Sequence, residues 1–205
     1  MSSPRRLLVI LVDRSGSMRA VKDDTEGGLR AFLDAQRDVP GETRVTLRRF
    51  DHEHETLYTG IPLEEAPAFE LKPRGWTALL DAIGSSVAET DDHIASLPEG
   101  DRPDEVVLVV LTDGAENASK EWKHSQIKTL LKAKQDAGWT VVFLGADQDA
   151  ITVAAGMGIS RDTSLAYDSC DTEATLTTVG RAVARGSRTG VHGFTDAERD
   201  MRGSR

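Results

Sequence analysis

The sequence predicts an α/β fold: a doubly wound, mostly parallel six-stranded sheet with one antiparallel edge strand and helices on both faces. Three observations predict it. The runs Leu7-Leu8-Val9-Ile10-Leu11-Val12 and Val106-Val107-Leu108-Val109-Val110-Leu111 lack polar alternation, as strands buried on both faces do. Strand-like segments are separated by segments of helical periodicity, the arrangement that builds parallel sheets. Both apolar runs also end alike, at Asp13-Arg14-Ser15-Gly16-Ser17 and at Thr112-Asp113-Gly114. Acids and hydroxyls at a strand's carboxyl end lie where ligands bind in open α/β sheets.

The elements follow in order. After the first strand, residues 18–38 read as a helix with Val21, Leu29, Phe32 and Leu33 toward the sheet. Gly27 and Gly28 weaken it by roughly 1 kcal/mol each, so close packing on a neighbour is the expected reason for them. Residues 45–50 and 56–61 read as two strands. Their link, Asp51-His52-Glu53-His54-Glu55, is too short for a crossover, so they form an antiparallel hairpin at the sheet edge. Pro62, Pro67 and Pro73 mark a loop over the top of the sheet, ending at Arg74-Gly75-Trp76-Thr77. Residues 78–97 form the next helix and residues 105–112 the second buried strand. A helix over 120–137, a strand over 139–145, a short helix over 147–155 and a last strand over 162–167 follow. Asp171 can cap a final helix through Arg185. The chain is thus expected to be one domain over residues 1–185. Residues 186–205 hold few apolar residues and are expected to be a disordered tail.

Composition removes several function classes. A net charge of -9 argues against nucleic-acid binding. Residues 181–205 hold six arginines against three acids, so that stretch carries +3 and residues 1–180 carry -12. No stretch has the length of a membrane span, and the apolar run after Arg5-Arg6 is too short for a signal peptide. The single cysteine, Cys170, excludes an internal disulfide and fits a reducing compartment. The expected location is the cytoplasm.

Three loops converge on the carboxyl edge of the sheet: the one after the first strand, the one before Thr77, and the one after the fourth strand. They bring two carboxylates and three hydroxyls, hard oxygen donors suited to Mg²⁺. Read alone, each of these residues could equally be a helix cap. Together they resemble the von Willebrand factor type A domain. Its metal-ion-dependent adhesion site is written Asp-x-Ser-x-Ser, then Thr, then Asp, matched here by Asp13, Ser15, Ser17, Thr77 and Asp113. The resemblance runs on through Thr77-Ala78-Leu79-Leu80-Asp81-Ala82-Ile83 and Leu111-Thr112-Asp113-Gly114-Ala115-Glu116-Asn117, and covers about residues 5–170. Gly145-Ala146-Asp147-Gln148-Asp149-Ala150 is similar to a stretch of stand-alone bacterial and phage members.

The resemblance implies a Rossmann-like sheet and a bound Mg²⁺, with Mn²⁺ or Ca²⁺ as substitutes. Ser15, Ser17 and Thr77 would touch the ion, and Asp13 and Asp113 would hold it mostly through water. The open position would take an Asp or Glu carboxylate from a partner protein. The implied activity is adhesion, not catalysis, with neither nucleic acid nor membrane as partner. Two alternatives stand beside it: a structural subunit of a larger assembly, and a Mg²⁺-dependent phosphatase with Asp13 as nucleophile. The phosphatase lacks its usual general acid, because Ser15 stands where a second acid would be. Arg14, Met18, Arg19, Arg74, Trp76, Glu116 and Trp122 lie near the site loops and are candidates for a rim that selects the partner. Trp76, directly before Thr77, has the best case. Asp81 is expected to support the adjacent helix or loop, and His52, Glu53 and His54 to be a solvated turn.

Overall fold

A computed structural model describes residues 3–146 and 149–199. Its sheet contains six strands: β1 (Arg5–Asp13), β2 (Glu42–Phe50), β3 (His54–Pro62), β4 (Glu105–Thr112), β5 (Thr140–Ala146) and β6 (Ser164–Tyr167). They lie in the order β3-β2-β1-β4-β5-β6. All pairings are parallel except β2 with β3, the hairpin at the edge. The chain builds outward from β1 to β3 on one side, then crosses to β4 and builds outward on the other. The switch in direction falls between β1 and β4, and in such sheets ligands bind at the carboxyl ends of the strands beside it.

The helices are α1 (Lys22–Gln36), α2 (Leu79–Ser96), α3 (His124–Asp136), α4 (Ala150–Gly156), α5 (Thr172–Thr189) and α6 (Asp196–Arg199). The pleat sends Leu8, Ile10 and Val12 of β1 to the face covered by α1 and α5. Leu7, Val9 and Leu11 go to the face covered by α2, α3 and α4. Burial on both faces explains the unbroken apolar runs, each such side chain contributing roughly 1.5–3 kcal/mol. The glycines of α1 have the expected reason. A Cβ on Gly28 would stand 2.8 Å from the Leu176 side chain of α5, so the two helices could not approach as they do with a larger residue there.

Three elements differ from the sequence expectation. Helix α1 starts at Lys22, after a 3-10 turn over Gly16–Val21 that carries the site loop into the helix. Helix α3 starts at His124, because the Asp81 carboxylate accepts the backbone N–H groups of Lys120, Glu121 and Trp122 at 2.7, 3.0 and 2.8 Å and holds them as a loop. Asp81 therefore supports the loop, as expected. The third is the C-terminal segment. Helix α5 continues past Arg185 to Thr189, and the segment after it folds back on the domain. Arg185 pairs with Glu198 at 2.6 Å, Phe194 packs against the α1/α5 core, and Arg199 donates to the carbonyls of Arg161, Asp162 and Ser164. Polar contacts of two arginines hold this stretch, which apolar content does not reveal. Residues 200–205 of the expected tail, and Asp147 and Gln148 of the expected short helix and of the stretch at 145–150, lie outside the described residues. Among the described residues no helix is long and apolar enough to cross a membrane.

Candidate metal centre

Strand β1 ends at Asp13, which is fully buried. Its Oδ1 accepts the Ser15 N–H at 2.6 Å and its Oδ2 accepts the Thr112 hydroxyl at 2.6 Å. The first bond folds the chain into a tight turn that brings Ser15 and Ser17 back over the strand end, their hydroxyls 3.1 Å apart. Ser17 donates to the Asp113 carboxylate at 2.8 Å, so the loops after β1 and β4 meet.

Thr77 completes the cluster from the third loop. A Cβ placed on Gly114 would lie 2.7 Å from the Thr77 hydroxyl and 3.6 Å from both Asp13 Oδ2 and Ser15 Oγ. Three oxygens thus border the space that a glycine leaves open. The Thr77 backbone is fixed by Asn117, whose side chain accepts the Thr77 N–H at 2.9 Å and whose own N–H donates to the Thr77 carbonyl at 3.0 Å. Asn117 is in turn flanked by Glu116, which accepts from the backbones of Leu80, Ala118 and Ser119. The structure therefore brings together Asp13, Ser15, Ser17, Thr77 and Asp113. It adds Thr112, Glu116 and Asn117 as their supports, which the sequence singled out only as neighbours.

The site is electrically incomplete. Burial pushes the Asp13 carboxyl up from 3.8 to about 6, against the hydrogen bonds from Thr112 and Ser15, and the nearby Asp113 charge pushes the same way. Among the described residues no ion pair with a lysine or arginine offsets the Asp13 charge. A divalent cation fits this donor set: hard oxygens only, hydroxyls beside carboxylates, and a buried carboxylate that a positive charge would stabilise.

The expected rim divides. Arg14 is buried, with Nε 3.0 Å from Asp51 and Nη1 2.6 Å from Glu55. Met18 is in the core, and the Trp122 ring packs against α2, where a Cβ on Gly84 would meet it at 2.3 Å. Arg74 pairs with Asp51 and Glu53, and Glu116 serves the loop. Arg19, Arg74 and Trp76 are exposed, Arg74 while paired to its two acids. A further group, Asp51, His52 and Glu53, places ligand-type atoms within 4.8 Å of one another. Its two carboxylates already receive Arg14 and Arg74, so it is completed by the chain's own cations.

No protein-family model matches the chain, and no curated protein matches it in sequence. Solved structures match its fold. One is proximal thread matrix protein 1 from the mussel byssus with a zinc-occupied MIDAS motif: 12% identical, TM-score 0.61, over 89% of this chain and 46% of that one. A von Willebrand factor type A protein from Catenulispora acidiphila is 13% identical, TM-score 0.58, over 88% of this chain and 43% of that one. The conserved hypothetical protein BatB from Bacteroides thetaiotaomicron is 14% identical, TM-score 0.56, over 89% of this chain and 99% of that one. The chain spans about half the length of the first two.

Proposed function

We propose that this chain, which has the von Willebrand factor type A fold, is a Mg²⁺-dependent protein-binding module. The observation that carries the reading is the buried Asp13 carboxylate, surrounded by hydroxyls and lacking a cationic partner among the described ion pairs. Ser15, Ser17 and Thr77 would hold the ion directly, and Asp13 and Asp113 would orient its waters. Mn²⁺ or Ca²⁺ would substitute. An ion met mostly by neutral hydroxyls keeps affinity for one more oxygen, and a partner's Asp or Glu carboxylate supplies it. The ion then joins two chains.

Binding is favoured over turnover by the state of Asp13. Both of its oxygens are engaged by hydrogen bonds and neither faces solvent, so it is badly placed to attack a phosphoester. A net charge of -9 disfavours nucleic acid and anionic membrane surfaces as partners. The exposed single thiol of Cys170 suits the cytoplasm. The test is capture of partners from source extract on immobilised protein, in Mg²⁺, in EDTA, and with Asp13→Ala. Recovery in Mg²⁺ with wild type alone is expected; equal recovery in all three overturns metal-dependent binding.

A further inference from the structure

We propose that Trp76 selects the partner, packing its indole on an apolar side chain adjacent to the carboxylate received at the metal centre. This inference rests on the reading of that centre given above. Two large apolar side chains stand in solvent among the described residues, Trp76 at 69% and Val191 at 73% exposure. Val191 belongs to the opposite edge of the sheet, next to His192, which pairs with Glu105 at the start of β4. Trp76 is at the carboxyl edge, bonded to Thr77, with its Cα about 3.8 Å from that residue's Cα. A ring so exposed adds little to the core, so folding gives no reason for it.

The loop that carries the ring is held on every side. The Arg74 N–H donates to the Arg14 carbonyl at 2.7 Å, and the Arg74 guanidinium is fixed by Asp51 and Glu53. The Gly75 carbonyl accepts the Gly16 N–H at 3.2 Å. Gly75 has φ +70, and a Cβ there would sit 2.3 Å from His52 Nδ1, so the hairpin tip closes behind the turn. Thr77 is clamped by Asn117 on the far side. An aromatic ring on a backbone already ordered loses little entropy on binding, the condition under which tryptophan becomes an interface anchor. Adjacency to Thr77 sets the partner's chemistry: a side chain beside the metal-bound Asp or Glu that covers the indole gains from doing so when it is apolar.

The test is an array of nonapeptides with a central Asp and neighbours varied among Gly, Ser, Lys, Leu and Phe. It is probed with wild type, Trp76→Ala and Trp76→Phe, in Mg²⁺ and in EDTA. In Mg²⁺, wild type should bind Leu- and Phe-flanked peptides about tenfold more tightly than Gly-flanked ones. Trp76→Ala should bind all of them at the Gly level, and Trp76→Phe should keep most of the preference. Thermal stabilisation of Trp76→Ala by Mg²⁺ should equal that of wild type, since the ring is outside the core. A preference that survives Trp76→Ala, or Mg²⁺-dependent binding indifferent to the neighbours, overturns the role of Trp76 and leaves the metal-bound carboxylate standing. Absence of Mg²⁺-dependent binding to every Asp peptide overturns both.

Discussion

Asp13 and Asp51 are two fully buried carboxylates at the carboxyl ends of neighbouring strands, with Asp13 paired in register to Phe50, the residue before Asp51. Their surroundings differ in one respect. Asp51 accepts the Glu53 N–H at 2.7 Å and lies 2.7 and 3.0 Å from the guanidiniums of Arg74 and Arg14. Asp13 has a backbone N–H and a hydroxyl. Arg14 follows Asp13 directly in sequence and still turns to Asp51. The chain thus neutralises one buried acid with its own cations and, among the described ion pairs, gives the other none. The first cluster ties the loops together; the second is the one that the proposed function assigns to a cation.

Substitutions break this comparison in order of size. Asp51→Ala leaves the buried Arg14 with Glu55 alone and takes from Arg74 one of its two acids, and should cost about 3 kcal/mol in urea unfolding, with no remedy from Mg²⁺. Asp13→Asn should do the reverse in metal-free protein. Because burial raises the Asp13 carboxyl to about 6, the folded protein holds a proton between about pH 4 and 6 that the unfolded chain has released. Metal-free stability should therefore fall as pH rises through that window, by about 3 kcal/mol, and Asp13→Asn should abolish the fall. Denaturant titrations at pH 4 and pH 7.5 read this directly. Gly114→Ala places a methyl 2.7 Å from the Thr77 hydroxyl, which must then move, and should weaken Mg²⁺ by about tenfold in calorimetric titration. Glu198→Gln should cost no more than about 1 kcal/mol and leave Mg²⁺ binding unchanged. Arg185 holds the Glu198 carboxyl below its ordinary range, so this contribution is present at neutral pH and lost on acidification through the carboxylate range. Hydrogen exchange over residues 190–199 would show it.

The sheet was legible because burial on both faces writes itself as unbroken apolar runs, and the clustering of Asp13, Ser15, Ser17, Thr77 and Asp113 because their types and order follow a short motif. The supports were harder to see. Arg14, Asp51 and Arg74 come from three separate loops, and no periodicity links residues whose only tie is charge. His52, Glu53 and His54 read as a solvated turn, and the two histidines are half exposed, while Asp51 directly before them is fully buried. The start of α3 was misplaced because residues 120–122 suit a helix locally but give their N–H groups to Asp81, a distant acceptor. The segment after α5 was misread because arginine and glutamate contacts, not apolar spacing, hold it down.

The most direct test is unfolding free energy as a function of Mg²⁺, for wild type and Asp13→Asn, at pH 7.5. Wild type should gain about 2.7 kcal/mol when Mg²⁺ reaches 100 times its dissociation constant. Asp13→Asn should gain nothing, while being at least as stable as wild type without metal. A wild-type protein indifferent to both Mg²⁺ and Mn²⁺, or an Asp13→Asn variant stabilised equally by them, would contradict a cation completing the Asp13 site.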